Sequence, residues 1–215
     1  MNQGGNGQLL LERLNEIYPE VDLMGGYDFR DLTGDQVPEF LYIEFQTDGK
    51  PFIFSCKNGN FEQLAILSGS RDHLTYDVKI EDLNLNGIPE IIVIGTSGAS
   101  FPVSTFYIYE WNGQTFAILG QQTIAAIRKF QVTDLSDNGT KGISFSGDNP
   151  TCTSCSNFIP QRERTIMLGW NGKEFVEISN KFETPTYRFQ AVQDADTVSN
   201  IGHYDKAVLL YNQVI

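Results

Sequence analysis

Long apolar runs are missing from this chain; nothing approaches the ~20 consecutive apolar residues that a membrane helix needs. Basic residues are scarce, 15 Lys and Arg against 27 Asp and Glu, giving a net charge of −12. A field of that sign repels nucleic acid and anionic lipid and suits cations or basic partners. Histidine is limited to His73 and His203, which leaves little for Ser/His/Asp catalysis. Cysteine is limited to Cys56, Cys152 and Cys155. The last two form a CxxC in a turn-rich stretch, but no second CxxC or His pair completes a four-ligand zinc site. A thioredoxin-like redox pair would sit at a helix start after a strand, a pattern not found here. Cys152 and Cys155 therefore read as a local disulfide pinning a loop of an exported protein. Cys56, in the run Phe52-Ile53-Phe54-Ser55-Cys56, reads as a packed thiol.

What is present points to a folded β-protein. At 215 residues and 40% hydrophobic, the chain is long and apolar enough to bury a core. Its 15 Phe and nine Tyr beside 20 Gly lean towards strands and turns. The start, Met1 to Gly7, is polar, and Leu9-Leu10-Leu11 runs at once into Glu12 and Arg13, too short for a signal-peptide core. A Gly/Asn-rich start of this kind resembles the linker behind an exported protein's removed leader. The expectation is export to periplasm, cell surface or medium, with a cytoplasmic location as the other reading.

Internal repeats organise the sequence. Asp31-Leu32-Thr33-Gly34-Asp35-Gln36-Val37-Pro38-Glu39 aligns with Asp82-Leu83-Asn84-Leu85-Asn86-Gly87-Ile88-Pro89-Glu90, and with Asp134-Leu135-Ser136-Asp137-Asn138-Gly139-Thr140-Lys141-Gly142. The period is about 50 residues. Asn58-Gly59, Asn112-Gly113 and Asn171-Gly172 recur between these segments, each followed by Phe61, Phe116 or Phe175. Asn-Gly between alternating apolar runs predicts a hairpin with a type I′ turn. Each unit thus reads as four short strands, in the second unit 77–80, 90–95, 106–111 and 116–120. Four strands per repeat is the pattern of propeller blades. Three blades fall short of the usual ~4–8, so the sheets close, form an open arc, or need a further blade from outside this chain.

The expected layout is a flexible start and N-terminal helix over 1–20, a three-repeat β-domain over 21–183 and a helical pair over 184–215. Leu9, Leu10, Leu14 and Ile17 share a helical face, and Pro19 stops it. From Arg188 onward a helical pattern runs to the end. Gly202, Tyr204, Ala207 and Tyr211 are spaced so that this pair resembles one tetratricopeptide hairpin, in which small Ala207 lets the helices approach.

The aspartate segments offer hard oxygen ligands at alternate positions of a tight turn, which is calcium-loop chemistry. An EF-hand is excluded, because its last-position Glu would fall on Tyr42 or Val93 and the flanks read as strands. Strand–loop–strand with Glu at the ninth position instead resembles the FG-GAP or VCBS repeat of integrin-like propellers, over about residues 27–178. That resemblance implies calcium at Asp31, Thr33, Asp35 and Glu39, and at Asp82, Asn84, Asn86 and Glu90. Loop one holds three carboxylates and is the stronger candidate, although Gln36 stands where the turn glycine belongs and Gly34 is displaced. Loop two has Gly87 but only Asp82 and Glu90 as acids. Loop three has Gly142 in place of the Glu. Sites so poor in charge imply weak binding, at ~10⁻⁴–10⁻³ M. The same Asp and Asn residues can instead cap their own backbone as Asx-turns, with no ion.

Other features add little. Asn138-Gly139-Thr140 matches a glycosylation triplet inside loop three. Gly95 to Ser100 has no Lys and no following helix, so it is an inter-strand loop and not a P-loop. Tyr107, Tyr109 and Trp111 share one sheet face, either as packing between blades or as a ligand platform. Neither histidine lies near a nucleophile motif. The expectation is a non-catalytic binding or scaffold module of an exported or cell-surface protein. Its blade loops would face a protein or glycan partner, with calcium as the one cofactor. A propeller-type hydrolase or lyase acting on a polysaccharide is the alternative.

Overall fold

Runs of alternating aromatic and β-branched residues, cut by Asp loops and Asn-Gly turns, form eleven antiparallel strands among the described residues of a computed structural model of the chain. The structure describes residues 12, 16, 26–43, 50–57, 60–67, 74–97, 103–135, 139–149, 162–200 and 202–212. The expected N-terminal helix around Leu9, Leu10, Leu14 and Ile17, His73, the Asn58-Gly59 turn and the Cys152/Cys155 pair lie outside the described residues.

The first unit is a four-stranded sheet, β1 (Gly26–Arg30), β2 (Glu39–Ile43), β3 (Pro51–Lys57) and β4 (Asn60–Ile66), in that spatial order. The second unit contains β5 (Leu74–Glu81), β6 (Glu90–Ser97), β7 (Val103–Trp111) and the first half of β8 (Phe116–Asp134). The third begins with the second half of β8 and continues through β9 (Lys141–Asn149), β10 (Arg162–Trp170) and β11 (Phe175–Phe182). The expected fourth strand of unit two does not stop near Gly120. No Gly or Pro interrupts 121–134, so the strand runs on, pairing β7 up to Ala125 and β9 from there. Register shifts around Ile127 bend it from one sheet into the next. Hydrogen bonding thus joins units two and three into one seven-stranded ladder, β11-β10-β9-β8-β7-β6-β5, two four-stranded antiparallel sheets that share β8, beside the four-stranded sheet of unit one, and no barrel closes among the described residues.

Hydrophobic packing explains why the central sheet must be covered twice. On β6, Ile92 and Ile94 join Phe106, Ile108, Ile143, Phe145, Ile166 and Leu168 in one core between units two and three. The alternate residues Ile91 and Val93 join Leu32, Leu41, Ile53, Tyr107, Tyr109 and Phe116 in a second core against unit one. Successive strand residues point to opposite faces, so a run such as Ile91-Ile92-Val93-Ile94 demands a partner on both sides. Each of these four side chains is fully buried, a gain of about 1.5–3 kcal/mol apiece. Tyr107 and Tyr109 are packing residues between units, with Trp111 packed against the same core. Neither cluster, among the described residues, links units one and three.

The outer hairpin of every unit carries the same bulge. The register slips between Ile53 and Phe54, between Ile108 and Tyr109, and between Met167 and Leu168. The extra residue is apolar in each case, Leu64, Leu119 or Ile178. The Asn-Gly turns differ from the expected type I′. Gly113 (φ 94°) and Gly172 (φ 96°) are left-handed, but Asn112 and Asn171 are not. Asn112 Oδ1 instead accepts the N–H groups of Gln114 and Thr115 at 3.0 and 2.9 Å, and Asn171 does the same for Lys173 and Glu174. These are four-residue loops closed by Asx-turns. Cys56 is exposed, contrary to the packed thiol expected. Its neighbour Ser55 takes the buried side of β3.

Two helices follow the sheets, α1 (Arg188–Asn200) and α2 (Tyr204–Asn212), packed against each other through buried Ala195 and Ala207. Gln190, buried, returns its Oε1 to the N–H groups of Thr186 and Tyr187 at the start of α1. Gly202 (φ 86°) ends α1 as a Schellman motif, with Gly202 N–H to Ser199 and His203 N–H to Val198 carbonyls. Arg162 ties β10 to α1 through a two-pronged ion pair with Asp194, one arm 2.6 Å long. Among the described residues no helix is long and apolar enough to cross a membrane.

Candidate metal centre in the aspartate loops

Each Asp loop joins the first strand of a unit to its second. The backbones of loops one and two are alike. Gly34 (φ 79°) and Gln36 (φ 67°) are left-handed in loop one, as are Leu85 (φ 63°) and Gly87 (φ 86°) in loop two. The fourth and sixth positions therefore both need positive φ, and each loop fills only one with glycine. Gly34 is not a displaced glycine; it serves the other left-handed position. Gln36 and Leu85 carry the strain that a side chain meets there.

Carboxylate and amide oxygens close the turns. Asp31 accepts from Gly34 N–H at 2.7 Å and Gln36 N–H at 2.8 Å, and Asp35 from Val37 N–H at 2.8 Å. In loop two Asp82 Oδ2 accepts from Gly87 N–H at 3.0 Å. Asn84 Oδ1 accepts from Asn86 N–H at 3.0 Å, and Asn86 Oδ1 from Ile88 N–H at 2.8 Å. The Asx-turn reading is thus part of the structure in both loops.

The ninth-position glutamates do something different. Glu39 and Glu90 are 1% and 0% exposed, and each turns Oε2 back to the N–H of the leucine at position two, Leu32 at 2.8 Å and Leu83 at 2.7 Å. Burial pushes the Glu39 carboxyl above its ordinary 4.5; the Leu32 N–H opposes that, and Asp35 and Asp31 add to it. Burial pushes Glu90 up to about 7, against the pull of the Leu83 N–H and with help from the charges of Glu110 and Asp82. Two buried oxygens of loop two, Asp82 Oδ1 and Glu90 Oε1, have no hydrogen-bond partner. In loop one the corresponding Glu39 Oε1 meets the Thr33 hydroxyl at 3.5 Å.

Glu110 is the residue that reading the loops by themselves misses. Ile91 faces Tyr109 across β6 and β7, so the next step of the ladder sets Glu90 opposite Glu110. Glu110 Oε2 accepts from Asn84 Nδ2 and Asn86 Nδ2, both at 2.7 Å. The only sequence signal was its place just before the Trp111-Asn112-Gly113 turn.

Loop three is built to other ends. Leu135 N–H, which would meet the glutamate, is bonded to the Thr140 carbonyl at 2.9 Å. A Cβ on Gly142 would stand 2.6 Å from Leu135 Cδ1 and 2.7 Å from the Leu168 carbonyl. No acidic side chain fits at that position. Its Lys141 crosses to loop two, with N–H to the Leu83 carbonyl at 3.1 Å and the ammonium paired to Glu81. Asp134 opens the loop, while Ser136, Asp137 and Asn138 lie outside the described residues.

These features decide how well calcium suits each loop. Among the described residues no set of three or more His, Cys, Asp or Glu side chains is arranged to hold a metal ion. Calcium also takes amide and backbone oxygens, so a shortage of acids does not by itself exclude it. Loop two has two unpartnered carboxylate oxygens, loop one has the Thr33 hydroxyl near the corresponding oxygen, and the ninth position of loop three has no room for an acid. His203 is exposed at the start of α2, far along the chain from the loops.

The chain matches no family model, no curated protein and no solved structure.

Proposed function

We propose that this chain is a non-catalytic binding or scaffold module of an exported or cell-surface protein, with propeller-like blades of the FG-GAP or VCBS kind. The loops would face a protein or glycan partner, and loop two would bind calcium weakly. The observation that carries the reading is the pair of buried, unpartnered oxygens, Asp82 Oδ1 and Glu90 Oε1. Such atoms are costly to leave unsatisfied, by about 1–3 kcal/mol each. A bound calcium ion would supply the positive charge that these oxygens lack. Asp82, Asn84, Asn86 and Glu90 are the residues that would hold it, and Leu83 N–H would keep Glu90 oriented. Asp31, Thr33, Asp35 and Glu39 form the second candidate set. The tyrosines of β7 are spent on the core, which leaves the loops as the better recognition surface. The α1–α2 pair is read as a tetratricopeptide-like element presented beside the sheets.

The experiment is a melting series of the whole chain in EDTA, magnesium and calcium, followed by a glycan and peptide binding screen under the best condition. A calcium-specific rise in melting temperature that disappears in Glu90→Gln supports the metal reading. No rise at about 10 mM calcium sinks it. Saturable binding without product release supports a module. Release of saccharide fragments from any polysaccharide tested would replace it with the hydrolase or lyase alternative.

A further inference from the structure

Unit one carries aromatic rings at alternate positions of β1, β2 and β3, all on one face of its sheet. Tyr27 stands opposite Tyr42 and Phe29 opposite Phe40, while Phe40 and Tyr42 face Phe54 and Phe52 on the next strand. The rings pack on one another, with centroids 4.9 Å apart for Phe29 and Phe40 and 6.2 Å for Phe40 and Phe54. The alternate residues Leu41 and Ile53 point the other way, into the core shared with unit two. The aromatic face is therefore the one turned away from unit two.

Exposure across this face is uneven. Phe40, Tyr42 and Phe54 are 1%, 3% and 5% exposed, yet they belong to neither core cluster. Tyr27 and Phe29, on the edge strand β1, are 55% and 41% exposed. Neighbours on the same face shield the flanks of a ring but not its outward end. A layer must therefore lie over β2 and β3 and stop short of β1.

The chain holds one segment suited to be that layer. Outside the described residues, the stretches adjoining unit one are 1–25 (Glu12 and Glu16 apart), 44–49, 58–59 and 68–73. The last three together contain Phe45 as their single large apolar residue, whereas the first contains Leu10, Leu14 and Ile17. Glu12 and Glu16 are helical and exposed. At about 100° per residue, Leu10, Leu14 and Ile17 fall on the opposite side of such a helix. Reach is no obstacle. Residues 18–25 can span roughly 26 Å, against about 10 Å from β1 to β3.

We infer that residues 10–17 cap the outer face of unit one, seating Leu10, Leu14 and Ile17 on Phe40, Tyr42 and Phe54. The occupant is a segment of this chain, and the assignment does not depend on the calcium reading. With its outer face covered, unit one offers no sheet surface to a further blade. The three units end there as an open arc, and Tyr27 and Phe29 mark the rim of the cap.

A photo-crosslinking benzoylphenylalanine in place of Leu14 tests this in the full chain, with mass spectrometry of the linked peptides. It should link to 39–43 or 51–57 within a monomer, and the same probe in place of Glu12 should not. A link to 188–212, a link between two copies, or no link to unit one overturns the inference. Leu14→Ala should also lower the melting temperature by at least about 4 °C, the effect of truncating a buried leucine in a chain of this size. Glu12→Ala should shift it far less, and equal small shifts for the two variants overturn the cap. Should the probe at Leu14 prevent folding, it goes in place of Phe52, half-buried on the same face. There it must link to 8–18, and the absence of that link overturns the inference equally.

Discussion

Leu83 gives its backbone N–H to Glu90 Oε2 at 2.7 Å, while Oε1 of the same buried carboxyl has no hydrogen-bond partner. Leu32 and Glu39 repeat the bond at 2.8 Å in the first unit. The second position of the loop is thereby tied to the start of the next strand, and the loop keeps its width. Burial of the charge outweighs the backbone N–H groups of Leu83 and of Glu90 itself, and the carboxyl is pushed up to about 7.

Stability without metal should therefore depend on pH through Glu90. Its folded pKa lies above the ordinary 4.5, so the neutral form favours the fold. That contribution is complete below about pH 4.5 and is lost as pH rises through about 7. Between pH 5 and 8 in EDTA, wild type should lose roughly 2 kcal/mol more stability than Glu90→Gln, which keeps an acceptor for Leu83 N–H and has no proton to release. Urea denaturation across that range gives the comparison. Parallel curves for the two proteins would rule the idea out.

Gly142 should tolerate no side chain. Its Cβ position lies 2.6 Å from Leu135 and 2.7 Å from a backbone oxygen that cannot swing away. Gly142→Ala should cost about 2–3 kcal/mol through overpacking. Gly172→Ala is the control, since its φ of 96° is unfavourable for alanine but its surroundings are empty. A cost for Gly142→Ala no larger than for Gly172→Ala would contradict the crowding argument.

Gln36 should be improvable. It holds a left-handed φ of 67° while only its backbone N–H is used, by Asp31. Gln36→Gly keeps that bond and removes the strain, for a net gain of about 0.5–1 kcal/mol after the entropy glycine adds to the unfolded chain. Thermal denaturation would show it as a rise of a few degrees. A fall would mean that the loop does not hold this conformation in solution.

Arg162 should hold α1 to the third unit. Its side chain is 7% exposed, its pair with Asp194 is two-pronged, and its guanidinium lies 4.8 Å from the centre of the Phe182 ring. Removing one partner leaves the other charge poorly hydrated, so Arg162→Ala should cost about 3 kcal/mol. It should also speed proteolytic cleavage within 188–212 before the sheets are cut. Cleavage sites and rates like those of wild type would show that the pair anchors nothing.

Much of the strand layout was legible because its causes are local. Alternation between Val78 and Ile80, or between Phe106 and Ile108, needs no neighbour to declare a strand. Asp and Gly at fixed offsets announce the loops, and all four strands foreseen in unit two are present. The differences arise where a neighbouring strand or a side-chain bond acts beyond the local pattern. Strand β8 continues because unit three offers β9 as an edge beyond Ala125. The Asn-Gly turns take their form from side-chain bonds to Asn112 and Asn171, which the Asn-Gly pattern alone does not distinguish from a type I′ turn. Cys56 is exposed because burial on β3 falls to Ser55, which faces Glu39.

By itself the sequence determined the repeat, the β-class of the chain and the residue types that line the loops. Those follow from side-chain periodicity and from which residues accept a tight turn. Tertiary structure decided what faces each loop. Position nine is an acid facing an acid in unit two and a crowded glycine in unit three only after register brings Glu110 or Gly169 across from another strand. Electrostatics and excluded volume act through space, between residues that chain position keeps apart.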